Sequence, residues 1–218
     1  MVTFDPGPLP QRLAAGLAKI SMALRSRAWR EAGGRGLNPT QGQILVVLAK
    51  RPGPQTLVQI AGELAITPAT ASDALAALEA KGLVRKSRSG KDRRALAVRL
   101  TARGRREAER AAGWPDFLAE AAGQLDVAEQ TALLRALIKM IRTLQERGDI
   151  AVARMCVTCR FFRPHRYADP IRPHHCDFVD APFGDRELRV DCADHQPAAP
   201  DAAQTIWQSF LRSEEARP

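Results

Sequence analysis

The first 155 residues contain no cysteine and the first 164 no histidine. Most of the chain therefore lacks a soft metal ligand and lacks the side chain that most often moves protons near neutral pH. There is no Gly-rich phosphate loop, no nucleophile elbow and no Ser/His/Asp arrangement, so an enzyme is not expected. No run of 18 apolar residues occurs, which leaves no candidate for a membrane-spanning helix. Residues 1–8 carry neither the basic start nor the apolar core of a secretory leader, and the expected location is cytoplasmic, with no membrane partner. The scarcity that matters most is of acid: between residues 81 and 106 eleven Lys and Arg side chains face a single acidic one, Asp92.

What is present is a 218-residue chain, 45% hydrophobic and 26% charged, as expected of a globular protein. Its net charge of +9 is unevenly placed. Residues 1–150 hold 24 Lys and Arg against 14 Asp and Glu, whereas residues 151–218 hold 9 against 10. The near one-signed stretch from Lys81 to Arg106 calls for a polyanionic partner.

Periodicity predicts a mainly α, α+β architecture. Leu13, Leu17, Ile20 and Leu24 recur at helical spacing from Gln11 to about Glu31, and the glycines at 33, 34 and 36 end that segment. Asn38-Pro39-Thr40-Gln41 reads as a capped helix start, followed by Ile44, Leu45, Val47 and Leu48 on a buried face. A short helix over Leu57–Leu64, a turn at Ala65-Ile66-Thr67 and a second helix from Pro68 to Lys81, closed by Gly82, make a helix-turn-helix. Two strands follow, Leu83–Ser87 and Ala95–Leu100, the second with Leu96, Val98 and Leu100 inward and Ala97 and Arg99 outward. The basic tip between them completes a winged helix. A helical segment from Thr101 to about Gln124 is broken near Trp114-Pro115, and Asp126 caps a last long helix with the stripe Leu133, Leu134, Leu137, Ile138, Ile141 and Leu144. The first and last helices carry more apolar surface than a small winged domain covers, which predicts burial against a second copy of the chain.

This order of elements resembles the MarR family of transcriptional regulators over residues 10–148. Asp92-Arg93-Arg94-Ala95-Leu96, with Leu100-Thr101-Ala102-Arg103-Gly104, resembles the family's wing, and Glu79-Ala80-Lys81-Gly82-Leu83-Val84 resembles the end of its recognition helix. The resemblance implies a homodimer that places two recognition helices in successive major grooves of a pseudo-palindromic double-stranded DNA operator. In such a motif the N-terminal residues of the recognition helix meet the base edges, here Thr67, Pro68, Ala69, Thr70, Ser72 and Asp73. None is Arg or Lys, so direct readout would fall to hydroxyl bonds and thymine-methyl contacts. Arg94 matches the family's minor-groove arginine, and Arg88, Lys91 and Arg93 are expected on phosphates or in the same groove.

All four cysteines fall within 37 residues, as Cys156-x2-Cys159-x16-Cys176-x15-Cys192. Four clustered thiols with one tight pair suit tetrahedral zinc or an iron–sulfur cluster. The same stretch holds Phe161, Phe162, Tyr167, Phe178 and Phe183, an apolar shell of the kind that shields a cluster. It also resembles the cluster-binding stretch of high-potential iron–sulfur proteins, which implies a [4Fe–4S] cluster, with zinc or [2Fe–2S] as alternatives. Asp191 stands where that pattern has an aromatic residue. His174, His175 and His195 are expected to be exposed or to support the ligands, and Arg160, Arg163, Arg166 and Arg172 to offset the thiolate charge.

The expected domains are residues 1–150 for DNA binding and dimerisation, 151–196 for the four-cysteine module, and 197–218 as a flexible tail, although Ile206-Trp207 and Phe210-Leu211 have the spacing of a short docked helix. The leading functional expectation is a DNA-binding transcriptional regulator whose cluster senses redox state, oxygen species or iron. The alternatives are a regulator responding to a small apolar effector, with a structural zinc, and a redox protein or electron carrier.

Overall fold

A computed structural model describes residues 7–51, 53–88, 96–150 and 153–212. The chain divides near residue 120 into two compact units.

The first unit begins with α1 (Leu9–Gly33) and α2 (Pro39–Lys50). As expected, Asn38 and Gln41 form a reciprocal capping box, with Pro39 in the first turn, where its missing amide costs nothing. A two-residue strand, β1 (Gln55–Thr56), leads into α3 (Leu57–Glu63), and Ala65 at φ 50° turns the chain into α4 (Pro68–Ala80). Gly82 at φ 67° ends α4, with the Leu83 amide returning to the Leu78 carbonyl at 2.9 Å.

Strands β2 (Val84–Arg88) and β3 (Leu96–Leu100) are antiparallel, and β3 is the central strand, flanked by β1 and β2. That position corrects one expectation. Ala97 is buried rather than outward, because its small side chain lies between its cross-strand neighbours Thr56 and Ser87. The core joins Ile44, Leu45 and Leu48 of α2, Ile60 of α3, Leu75 and Leu78 of α4 and Val98 of β3 with Trp114.

After β3, α5 (Ala102–Ala112) starts on the Thr101 cap and stops before Pro115. Gly104 lies so close to the Leu83 carbonyl that an added Cβ would sit 1.9 Å from its oxygen. Because the obstacle is backbone, Gly104→Ala is expected to destabilise the first unit by roughly 1–3 kcal/mol in urea unfolding.

Following α6 (Asp116–Ala122), the second unit is built on α7 (Val127–Glu146), opened by a capping box between Asp126 and Glu129. A 3₁₀ turn at Cys156–Thr158 and a small antiparallel sheet of β4 (Phe162–Arg163), β5 (His174–Cys176) and β6 (Ala181–Phe183) carry the cysteine region. Residues 197–218, expected as a flexible tail, instead contain α8 (Pro200–Arg212), whose Phe210 is fully buried. The expected boundary at residue 150 also differs from the observed division. Ile138, flanked by Leu134 and Ile141, packs with Met155, Val157, Phe162, Leu188 and Phe210, so α7 shares its core with the cysteine region and α8. Each fully buried large apolar side chain contributes about 1.5–3 kcal/mol, enough for this set to hold the 3₁₀ turn and short strands in place.

Two apolar faces remain open within their own units. On α1, Leu9, Leu13, Ile20 and Met22 are exposed. On α7, Leu133 and Met140 are exposed and Leu137 and Leu144 half-buried, a second stripe beside the one that faces the cysteine region.

Candidate functional site

The six expected base-reading residues of the helix-turn-helix, Thr67, Pro68, Ala69, Thr70, Ser72 and Asp73, are all exposed. Ala71, Ala74, Leu75 and Leu78 point the other way into the core, so α4 keeps one face for packing and one for a partner. Part of the hydroxyl capacity is already committed. The Thr67 hydroxyl accepts the Thr70 amide at 3.1 Å and lies 2.8 Å from the Thr70 hydroxyl, capping α4. Ser72 and Asp73 are the polar groups of this face that take no part in that cap.

Beside this helix the sheet presents a feature that sequence reading overlooked. Arg85 of β2 and Arg99 of β3 are exposed and directly paired in register. Like charges opposed across strands repel. No acidic side chain among the described residues forms a salt bridge with either. Lys86, by contrast, is neutralised by Glu79 at 3.0 Å, and Lys81 is turned inward to the Gly36 carbonyl and Gln41. Arg103, Arg105 and Arg106 at the start of α5 add exposed positive charge. Arg88 closes β2; its side chain and residues Lys91, Arg93 and Arg94 lie outside the described residues.

The second unit brings the four cysteines to one place. Cys156, Cys159, Cys176 and Cys192 line a single cavity of about 240 Å³, together with Phe161, Phe162, Phe178 and Phe183. None is in a disulfide. Local folding explains the convergence. The Cys156 amide donates to the Arg189 carbonyl at 3.1 Å while the Arg189 amide donates back to Cys156 Sγ at 3.3 Å. Cys176 sits on the central strand β5, opposite Phe162 and Ala181. The Cys192 amide is held by the Arg154 carbonyl, and the Arg154 side chain grips Asp191 through two nitrogens. Asp191, odd in the sequence pattern, is thus an anchor for the loop that presents Cys192.

The cavity is electrostatically unlike a surface thiol site. Burial pushes the Cys156 thiol up to about 11, only partly offset by the Arg189 amide, and the other three cysteines push it the same way as burial. Four thiolates would therefore need a cationic group among them. Arg189 hydrogen-bonds Cys192 Sγ at 3.6 Å and is raised above its ordinary range, first by that bond and then by the charge of Cys192. It supplies the positive charge expected of Arg160, Arg163, Arg166 and Arg172, none of which lines the cavity. Arg163 instead pairs with Asp177, and Arg160 lies over the Phe161 ring.

The histidines stand outside the cavity. His174 and His175 are buried rather than exposed, and neither lines the cavity. His174 Nε2 lies 3.0 Å from Asp185, which also pairs with the buried Arg135 of α7; His195 Nε2 meets the Thr158 hydroxyl at 3.0 Å. Among the described residues no group of three or more His, Cys, Asp or Glu side chains is drawn together tightly enough to hold one metal ion.

Residues 35–95 match the sequence profile of the MarR family. Among solved structures, the chain is similar to the transcriptional regulator BldR of Sulfolobus solfataricus, at 27% identity and a TM-score of 0.52, over 62% of this chain and 95% of that one. A probable transcriptional regulator of Pseudomonas aeruginosa matches at 28% identity and a TM-score of 0.50, over 61% and 99%. The transcriptional repressor CouR, solved bound to a 23-mer DNA duplex, matches at 26% identity and a TM-score of 0.52, over 64% and 99%. A comparison with curated proteins finds no match. The helix-turn-helix and the two strands that follow it thus have the fold of MarR-type regulators, and that likeness extends over some three fifths of the chain.

Proposed function

We propose that this protein is a MarR-type, DNA-binding transcriptional regulator, acting as a homodimer, whose four-cysteine cavity holds a [4Fe–4S] cluster that senses redox state, oxygen species or iron. The observation that carries the DNA-binding half is the exposed face of α4 beside the pair Arg85 and Arg99, which no acidic side chain among the described residues neutralises. Opposed cations on a folded surface are tolerated when a polyanion neutralises them, and duplex phosphates do so with release of counterions. The likeness to CouR, whose solved structure holds a DNA duplex, supports the same reading. The open stripes of α1 and α7 support the dimer, and a second copy of the chain is the partner that would cover them.

This arrangement predicts an unusual pairing of signs. Arg99→Thr is expected to stabilise the free protein by up to about 1 kcal/mol, because the cross-strand repulsion is removed. It is expected to weaken duplex binding evenly across sequences and to reduce the slope of log affinity against log salt by about 1. Thermal unfolding and a salt titration with a random-sequence duplex check both. Selection from a random duplex pool is expected to return a pseudo-palindrome with half-sites about one helical turn apart, and sedimentation at micromolar concentration a dimer; a monomer would overturn the dimeric reading.

For the cavity, the four thiols and their aromatic lining suit an iron–sulfur cluster. Here four thiols line a cavity of about 240 Å³, and an iron–sulfur cluster would place metal and sulfide between them. Cys156, Cys159, Cys176 and Cys192 would be the ligands, the four phenylalanines would exclude water, and the Arg189 amide and guanidinium would stabilise sulfur charge. When bound, the cluster would supply one-electron chemistry and sensitivity to oxidants. Iron and sulfide analysis of anaerobically purified protein tests this; zinc in their place would favour the effector-responsive reading with a structural metal.

A further inference from the structure

Two arginines of α7 are buried where an apolar helix face would ordinarily be. Arg135 and Arg142 are two turns apart and only 8% and 7% exposed, on the same side as the core residue Ile138. Each is held in the same way from two directions. Arg135 pairs with Asp185 and lies over the Phe210 ring, 4.6 Å from its centre. Arg142 donates to the Val157 carbonyl at 3.4 Å, to Gln204 at 3.4 Å and to Glu146 at 2.9 Å, and lies 4.7 Å from the centre of the Trp207 ring. Val157 stands between Cys156 and Cys159, and Asp185 begins the short turn that runs to Glu187 and Arg189 at the cavity wall. Phe210 and Trp207 both belong to α8.

We infer that Arg135 and Arg142, pressed onto α7 by Trp207 and Phe210, are positioning residues that make the state of the four-cysteine site felt by α7. Taking cations out of water is costly unless their donors find acceptors. Leucines would fill the same space without that cost, so the arginines contribute something other than packing. The buried Val157 side chain keeps the 156–159 turn folded, and the exact direction of its carbonyl also depends on how the cysteines on either side of it are held. When a group bound by both cysteines is lost, the carbonyl is less firmly directed, and Arg142, which keeps Glu146 and Gln204, has its bond to the buried carbonyl weakened. The readjustment of Arg142 is passed to α7, which carries it, and to α8, whose Trp207 lies over it. Since α7 also carries the open stripe Leu133, Leu137, Met140 and Leu144, the shift reaches the surface assigned to the second copy. The inference rests on the proposed reading of the cavity as a site that holds a bound group and of α7 as a dimer helix.

The test compares hydrogen exchange over residues 127–146 in full-length wild type, Cys159→Ser, Arg142→Met and the double variant, with bound iron and zinc measured on every sample. Cys159→Ser is expected to speed exchange in α7 roughly 5-fold or more. Arg142→Met is expected to keep its bound metal, and adding Cys159→Ser to it to change α7 exchange less than about twofold. Arg142→Lys, which keeps a charge and a donor, is expected to restore most of the response. If Arg142→Met does not fold, Trp207→Leu, which removes the stacking surface from outside the arginine, is expected to blunt the response in the same way. An undiminished response in the variant that folds overturns the inference, as does a Cys159→Ser chain whose α7 exchanges like the wild type. Zinc bound in place of iron refutes the iron–sulfur reading alone, because the exchange comparison requires only that Cys159 bind something.

Discussion

The Cys159→Ser protein is expected to emerge colourless where the wild type is brown, and to bind its selected duplex with an affinity about 5–150-fold different at the same salt. The loss of colour follows from the cavity. Cys159 is the buried member of the tight pair, and it lies in the core cluster that includes Met155, Val157 and Phe162. A hydroxyl cannot replace its thiolate as a soft ligand, and Cys156, Cys176 and Cys192 leave one position of a four-thiolate cluster open. The change in DNA affinity has a different origin. It requires that the loaded and empty sites favour different arrangements of the element that spaces the two reading heads. Operator titrations of anaerobic wild type, air-oxidised wild type and Cys159→Ser decide the matter. Agreement within twofold, with all three dimeric, would leave the cavity a structural staple and remove sensing from the proposed function.

The first unit was legible because its rules are local. Asn38 with Gln41, Thr67 before Pro68, and Gly82 after Lys81 each fix a helix end through one or two residues, and the structure places those ends where the residues require. The strand β1 escaped notice because two residues cannot display a period; it exists only through its pairing with Val98 and Ala97. The second unit was legible in its cysteines and much less so in its frame. Leu133, Leu134, Leu137, Ile138, Ile141 and Leu144 read as one stripe, whereas α7 has two adjacent faces, and the one turned to the cysteine region includes Arg135 and Arg142. Guanidinium groups count as solvent-facing in any hydropathy pattern, so their burial shows only once Asp185, Trp207 and Phe210 are seen beside them. The spacing of Ile206, Trp207 and Phe210 was the available signal for α8, and the Pro- and Ala-rich stretch before it pointed the other way.

Asp185→Ala is expected to destabilise the second unit by about 3–5 kcal/mol, because it strands the buried Arg135 guanidinium without its carboxylate and takes the acceptor from His174. Replacing Arg135 and Asp185 together, with Met and Leu, is expected to recover most of that loss, since no buried charge is then left unpaired. The same carboxylate sets an acid limit. Burial works against its ionisation, but the His174 hydrogen bond and the Arg135 charge outweigh burial and hold Asp185 at about 2, below the ordinary aspartate value of about 4. A carboxyl whose folded value is depressed contributes its stability in full above the unfolded value. That contribution fades as the pH falls from about 4 through about 2, and on the order of 2–3 kcal/mol is lost across the window. Protection against hydrogen exchange over residues 127–212, each rate taken relative to that of an unfolded amide at the same pH, is therefore expected to fall below about pH 4 in the wild type. In the Arg135→Met, Asp185→Leu protein the same amides are expected to lack that acid step. An acid step of equal size in both proteins would show that the carboxylate at 185 does not hold α7 to the cysteine region.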